Sequence, residues 1–186
     1  MSGTVDQYQQ VLGILREQID ALGPDDLANP TPCSEWDALA LVAHVLGAMA
    51  YYAHLAGGDD NVRPVIVDLE SDDDLVERFD AAAAHGVDAW AQPGALDSQV
   101  KMVLGRMPGR DALAVHIGDL ALHAWDLAHA RGITLELPPE LVADVRATWE
   151  DVFLRLDRGT AFAPEIDADP DASPTIRLVA YCGRTP

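Results

Sequence analysis

The chain has 186 residues, with 31 Asp and Glu against 12 Lys and Arg, a formal charge of −19 and 49% hydrophobic residues. Nucleic acid and anionic membrane are excluded as expected partners, because both are bound by clustered basic side chains and none is present here. At this length a single domain over residues 1–186 is expected to bury roughly 70% of the surface that its unfolded form exposes, with no need of a disulfide or structural metal.

The N-terminus carries Asp6, Arg16, Glu17 and Asp20 where a signal peptide needs an apolar run, so a cytoplasmic location is expected. Val5, Tyr8, Leu12, Leu15, Ile19 and Leu22 recur at spacings of three and four, one face of a first helix stopped by Gly23 and Pro24. Ser34 and Asp37 resemble a capping box for a second helix that reaches Gly57 and Gly58. From Ala38 to Gly58 there is no charged residue, which is long enough to span a bilayer. His44, His54, three glycines and the absence of basic anchors favour instead a helix buried within a bundle. Residues 59–70 read as acidic and irregular. Ser71 and the three aspartates after it begin a third helix running to about Ala91.

A short mixed stretch, Gln99 to Leu104, precedes a fourth helix from about Asp111 to Arg131, with Gly132 as its C-cap. A fifth starts at Pro139 and runs to Asp157, and Ser173 with Pro174 caps a short last helix around Ile176 to Tyr181. The expected fold is therefore all-α, a helix bundle with additional short helices. Cys33 and Cys182 are too far apart in sequence for a CxxC motif and read as free thiols.

The fourth helix carries the chemistry. At about 100° per residue, Leu113, Ile117, Leu120, Ala124 and Leu127 form one apolar stripe, and Val115 and Leu122 fall nearly opposite. Between them lies the row His116, Asp119, His123 and Asp126. Polar residues flanked by apolar ones on both sides line an interior cavity, where they must be paired, hydrogen-bonded or metal-bound. Asp119 and His123, four residues apart, converge on one point, whereas His116 and His123 are roughly 10 Å apart along the axis. A metal needs a third ligand from another helix, and His44, in the charge-free helix, is the candidate. Two His and one Asp with open positions is the composition of a catalytic divalent site. The same residues also describe a local Asp–His pair and a hydrogen-bonded core imidazole. Cys33, roughly 15 Å from His44 if both are placed along one helix axis, is expected to be a packed thiol. His54, His85 and His129 are assigned no role.

The strings TPCSEWDALALVAHVLG, GDLALHAWDLAHARG and LVAYCGRTP, in that order, resemble actinobacterial proteins related to the N-terminal domain of mycothiol-dependent maleylpyruvate isomerase, in the DinB-like metal-binding superfamily. The resemblance implies a DinB-like four-helix bundle holding a divalent metal, zinc or nickel, on His44, Asp119 and His123, with Asp126 or His116 orienting the ligands. It further implies a low-molecular-weight thiol such as mycothiol as cosubstrate, and a transferase or isomerase acting on a small electrophile. The expected partners are thus a small-molecule thiol and an electrophilic substrate. Self-association as a homodimer is also admitted. Two departures stand out: Asp119 occupies the place of a Glu, and the characterised isomerase has a second, C-terminal domain. A non-catalytic metal-binding or stress-related interaction protein of the same fold is the alternative. A metal-dependent hydrolase would need a separate general base, and none is apparent.

Overall fold

The structure is a computed structural model and describes residues 3–58, 63–102, 104–155, 158 and 162–186. Its elements are α1 (Thr4–Asp20), a 3-10 turn (Pro24–Asp26), α2 (Ala38–Ala56), α3 (Leu75–Trp90), β1 (Gln99–Met102), β2 (Gly105–Pro108), α4 (Gly109–Ala130), α5 (Pro139–Arg155) and α6 (Pro174–Tyr181). Helix α1 buries Tyr8, Leu12, Leu15 and Ile19 of the face expected from its periodicity, together with Val11 and Gln18, whereas Val5 and, beyond the helix, Leu22 are half-buried.

α1 packs against α4 and α3, and α2 packs against the same two helices. The four therefore sit at the corners of a square in the order α1, α4, α2, α3, and the α1–α2 and α3–α4 connections both cross the bundle. α5 lies on α4, and α6 on α5. This placement gives α4 neighbours on three sides, and sixteen consecutive or nearly consecutive residues along it, including His116, His123 and Asp126, are buried. An encircled helix has no solvated face, which is why its polar row is flanked by apolar side chains on both sides.

By length and composition α2 could cross a membrane, with a mean hydropathy of 1.5, but 56% of its apolar window is buried in the bundle. Here its apolar faces are used against α3 and α4.

Two helices begin later than their first capping signal. The α2 cap is Asp37, whose Oδ1 accepts from the Ala40 amide at 2.9 Å, because Cys33–Trp36 are taken up in a turn. The α3 cap is Asp74, accepting from Glu77, and not Ser71. Ser173 caps α6 as expected, and Gly132, at φ 69°, follows α4 with the Ile133 amide bonded to the Ala128 carbonyl. The mixed stretch after α3 is a two-stranded antiparallel hairpin that pairs Gln99 with Pro108 and runs straight into α4. The expected end of the fifth helix at Asp157, and the acidic pair Asp59 and Asp60, lie outside the described residues.

Candidate metal centre

The site is built across the α2–α4 contact. His44 projects from α2, and Asp119 and His123 from successive turns of α4, so that one ligand atom from each lies within 4.8 Å of the others. His123 Nε2 is 3.3 Å from Asp119 Oδ1. The His44 ring meets that of His123 edge-on at 5.1 Å and is covered on one face by Trp36, stacked at 4.2 Å.

Behind His123 stands a buried chain of partners. Its Nδ1–H donates to Asp126 Oδ2 at 3.0 Å. Arg184 grips the same carboxylate with two nitrogens, Nε to Oδ1 at 2.9 Å and Nη2 to Oδ2 at 3.0 Å. A planar fork of this kind matches a carboxylate well and fixes its orientation. Arg184 reaches inward because Gly183, at φ 81°, turns the chain after α6 while the Arg184 amide bonds back to the Val179 carbonyl.

Cys33 Sγ lies 3.4 Å from Asp126 Oδ2. Cys33 is therefore not an isolated packed thiol: together with His123 and Asp126 it forms a second group of converging ligand atoms, which shares His123 with the group that contains His44. The axial-distance argument failed because Cys33 does not continue the axis of α2. Thr31 Oγ1 accepts from the Cys33 amide and donates to the Trp36 carbonyl, folding the loop into a tight turn. Asn29 ties the start of that loop to the Ala130 carbonyl at the end of α4. The turn thereby lays Cys33 and Trp36 over the C-terminal half of α4.

Burial pushes His44 below the usual imidazole range, helped by His123 and opposed by Asp119, leaving a neutral ring with a lone pair. Burial disfavours the Asp119 charge, but the nearby His123 prevails and holds the carboxyl below its usual range. Burial likewise opposes a charged His123, yet the charge of Asp119 and hydrogen bonds with Asp119, Asp126 and Cys33 raise it well above the ordinary value. Asp126 is held low chiefly by Arg184, against the effect of its burial. The two flanking carboxylates thus favour the protonated form of His123.

His116 does not join this network. It is fully buried and stacked on Tyr52 at 4.1 Å and 10°. Neither of its nitrogens has a hydrogen-bond partner among the described residues, and burial lowers its pKa to about 3. Of the two expected orienting residues, only Asp126 touches a member of the triad. His54, His85 and His129 are exposed. Arg184 and Trp36 went unread in the sequence. Helical periodicity carries no signal for a residue in a tail or turn, although an arginine in the last three positions of so acidic a chain is a cue to look for a buried carboxylate.

Two hollows meet at the triad. A cleft of about 530 Å³ is lined by the 32–36 turn, His44, Asp119, His123 and the Cys182–Arg184 tail. A recess of about 250 Å³ lies on the other side, and His44 and Asp119 line it too.

The sequence matches the mycothiol maleylpyruvate isomerase N-terminal domain over residues 8–128. Uncharacterised proteins from the CDC 1551 and H37Rv strains of Mycobacterium tuberculosis are each 34% identical over 165 residues, 87% of this chain and 86% of theirs. Among solved structures, the crystal structure of the mycothiol-dependent maleylpyruvate isomerase superposes with a TM-score of 0.61 at 16% identity, over 76% of this chain and 65% of that one. A histidine-to-alanine variant of that isomerase gives 0.60. The fold is that of the isomerase's helical bundle, and this chain spans 65% of the isomerase's length. With the match covering most of its residues, the chain belongs to the mycothiol maleylpyruvate isomerase N-terminal domain family.

Proposed function

We propose that the protein holds a divalent metal, zinc or nickel, on His44, Asp119 and His123 and uses it with a low-molecular-weight thiol of the mycothiol type to modify a small electrophile. The observation that supports this most is the donor set: two imidazole nitrogens and one carboxylate oxygen converge within 4.8 Å from two helices. Three protein ligands leave positions open, as in catalytic rather than structural zinc sites. A bound dication favours the thiolate form of a thiol beside it, and thiolate is the nucleophile.

The chain's own residues provide the rest. Asp126, locked by Arg184, accepts the hydrogen bond from His123 Nδ1–H and so turns Nε2 toward Asp119 and His44. Burial keeps His44 unprotonated. Asp119 supplies negative charge, and Trp36 shields the His44 ring from water. The cleft beside them, open between the 32–36 turn and the Cys182–Arg184 tail, has room and polar walls for a thiol cosubstrate. Sulfur added to an activated double bond can stay, giving a conjugate, or leave after bond rotation, giving the isomer. Since the chain spans only part of the isomerase, the isomerase reaction is one of two outcomes of a shared first step.

Elemental analysis of the purified chain tests the metal assignment. One divalent ion per chain is expected, lost in His44→Ala and His123→Ala and weakened less in Asp119→Asn, whose amide oxygen still coordinates. Full metal content in His123→Ala would refute the ligand set.

A further inference from the structure

The two hollows that meet at His44 and Asp119 differ in character. The cleft is walled by Glu35, Ser34 and Arg184 as well as the triad. The recess is walled by Ala48, Tyr51 and Tyr52 of α2, by Trp149 of α5 and by Val65. Among its described lining residues no Lys or Arg occurs, and Asp119 is the one charged group, with His44 kept neutral.

We propose that this recess is the electrophile's subsite and that it takes an uncharged, apolar compound of about the size of a substituted aromatic ring. The inference rests on the thiol-dependent reading above and deepens it. A dicarboxylate such as maleylpyruvate would bring two charges against at most one cation, the metal held by the triad, because no Lys or Arg occurs among the described lining residues of the recess. The walls are largely aromatic and aliphatic: Tyr51 and Tyr52, their rings perpendicular with centroids 5.3 Å apart, stand with Trp149, Ala48 and Val65 around the recess. The volume is sufficient, since an apolar cavity of roughly 150 Å³ already binds benzene. Val65 lines the recess and not the cleft, and is 38% exposed.

The two reactants then approach the triad from opposite sides. The electrophile's reactive carbon points toward His44 and Asp119, and the thiolate arrives from the cleft. In an addition, a carbon–sulfur bond forms while the π pair of the alkene moves to the neighbouring carbon. That carbon takes up a proton equivalent to the one the thiol released, so the product is the sum of the two reactants and no oxidant is needed.

Methyl NMR on the purified chain tests the subsite, with nitrobenzene as an uncharged probe and maleate as a dicarboxylate probe. Nitrobenzene is expected to shift the methyl signals of Ala48 and Val65, which line the recess, and to leave that of Ala163, which lines the cleft. Ala48→Phe, filling the recess, should weaken nitrobenzene binding at Val65 at least tenfold without changing Tm. Shifts at Ala163 in place of Ala48 and Val65, or maleate saturating the Ala48 and Val65 signals, would overturn the proposal. Metal content measured on the same sample reports separately on the reading beneath it. Nitrobenzene seated on Ala48 and Val65 in a chain that takes up no metal would show an apolar pocket there but refute the metal centre, and with it the pocket's role as the electrophile's subsite.

Discussion

Replacing Arg184 with Ala tests whether the chain's last residues hold the site together. Asp126 is 0% and Arg184 7% exposed, and the guanidinium meets the carboxylate through two nitrogens. Without Arg184 the carboxylate keeps His123 and the Cys33 thiol but loses its largest compensating charge. Removing one partner of a buried pair costs about 3–5 kcal/mol. At about 2–4 °C per kcal/mol for a chain of this size, Tm should fall by about 6–20 °C. Arg184→Lys keeps the charge without the fork and should lie between the two. The loss should also depend on pH. Asp126 has a folded pKa below its unfolded value, so its stabilisation is present above the ordinary carboxylate range and disappears as pH falls through the folded pKa. Arg184→Ala should therefore unfold at a higher pH than the parent on acid titration, and the two should converge in stability once Asp126 is protonated in both. Thermal melts from neutral to acid pH measure this. A Tm for Arg184→Ala within about 2 °C of the parent at neutral pH would refute the claim that the tail anchors Asp126.

His116→Phe removes a ring whose nitrogens have no partner and keeps its stacking on Tyr52, so stability should be unchanged or higher by about 1 kcal/mol, with metal content unaffected; loss of metal would reassign His116. Cys33→Ser should retain the metal, because Cys33 belongs to a ligand group other than that of His44 and Asp119; its loss would place the ion against Cys33, His123 and Asp126. Because Asp119 and Asp126 raise the His123 pKa, metal uptake is expected to displace a proton from it, and affinity should rise with pH. Calorimetry in buffers of different ionisation enthalpy reads this directly, and a buffer-independent heat would count against it.

The parts of the site that lie on regular helices were legible in the sequence. His123 and Asp119 follow from i,i+4 geometry on α4, and His44 from the cost of an imidazole in a charge-free helix; the structure places the three together. Asp126 was legible for the same reason, as the next member of the row. Cys33, Trp36 and Arg184 were not, because a turn tied by Thr31 and Asn29 and a tail bent at Gly183 are positioned by tertiary contacts, to which residue periodicity is blind. The hairpin was missed for a related reason. Strands of four residues show too few alternations to register, and β1 buries only Val100 and Met102. The late starts of α2 and α3 reflect competition between neighbouring capping residues, settled by which aspartate can reach the amide three residues on.

The most direct test of the central claim is optical. The full chain loaded with cobalt(II) and titrated with mycothiol, or another low-molecular-weight thiol, should develop a saturable sulfur-to-cobalt charge-transfer band that grows with pH as the thiol ionises. The band should be absent in His123→Ala and present in Cys33→Ser and Cys182→Ser. A chain that binds cobalt through His44, Asp119 and His123 but shows no spectral response to any thiol would contradict thiol-dependent chemistry at this site and leave a metal-binding protein without it.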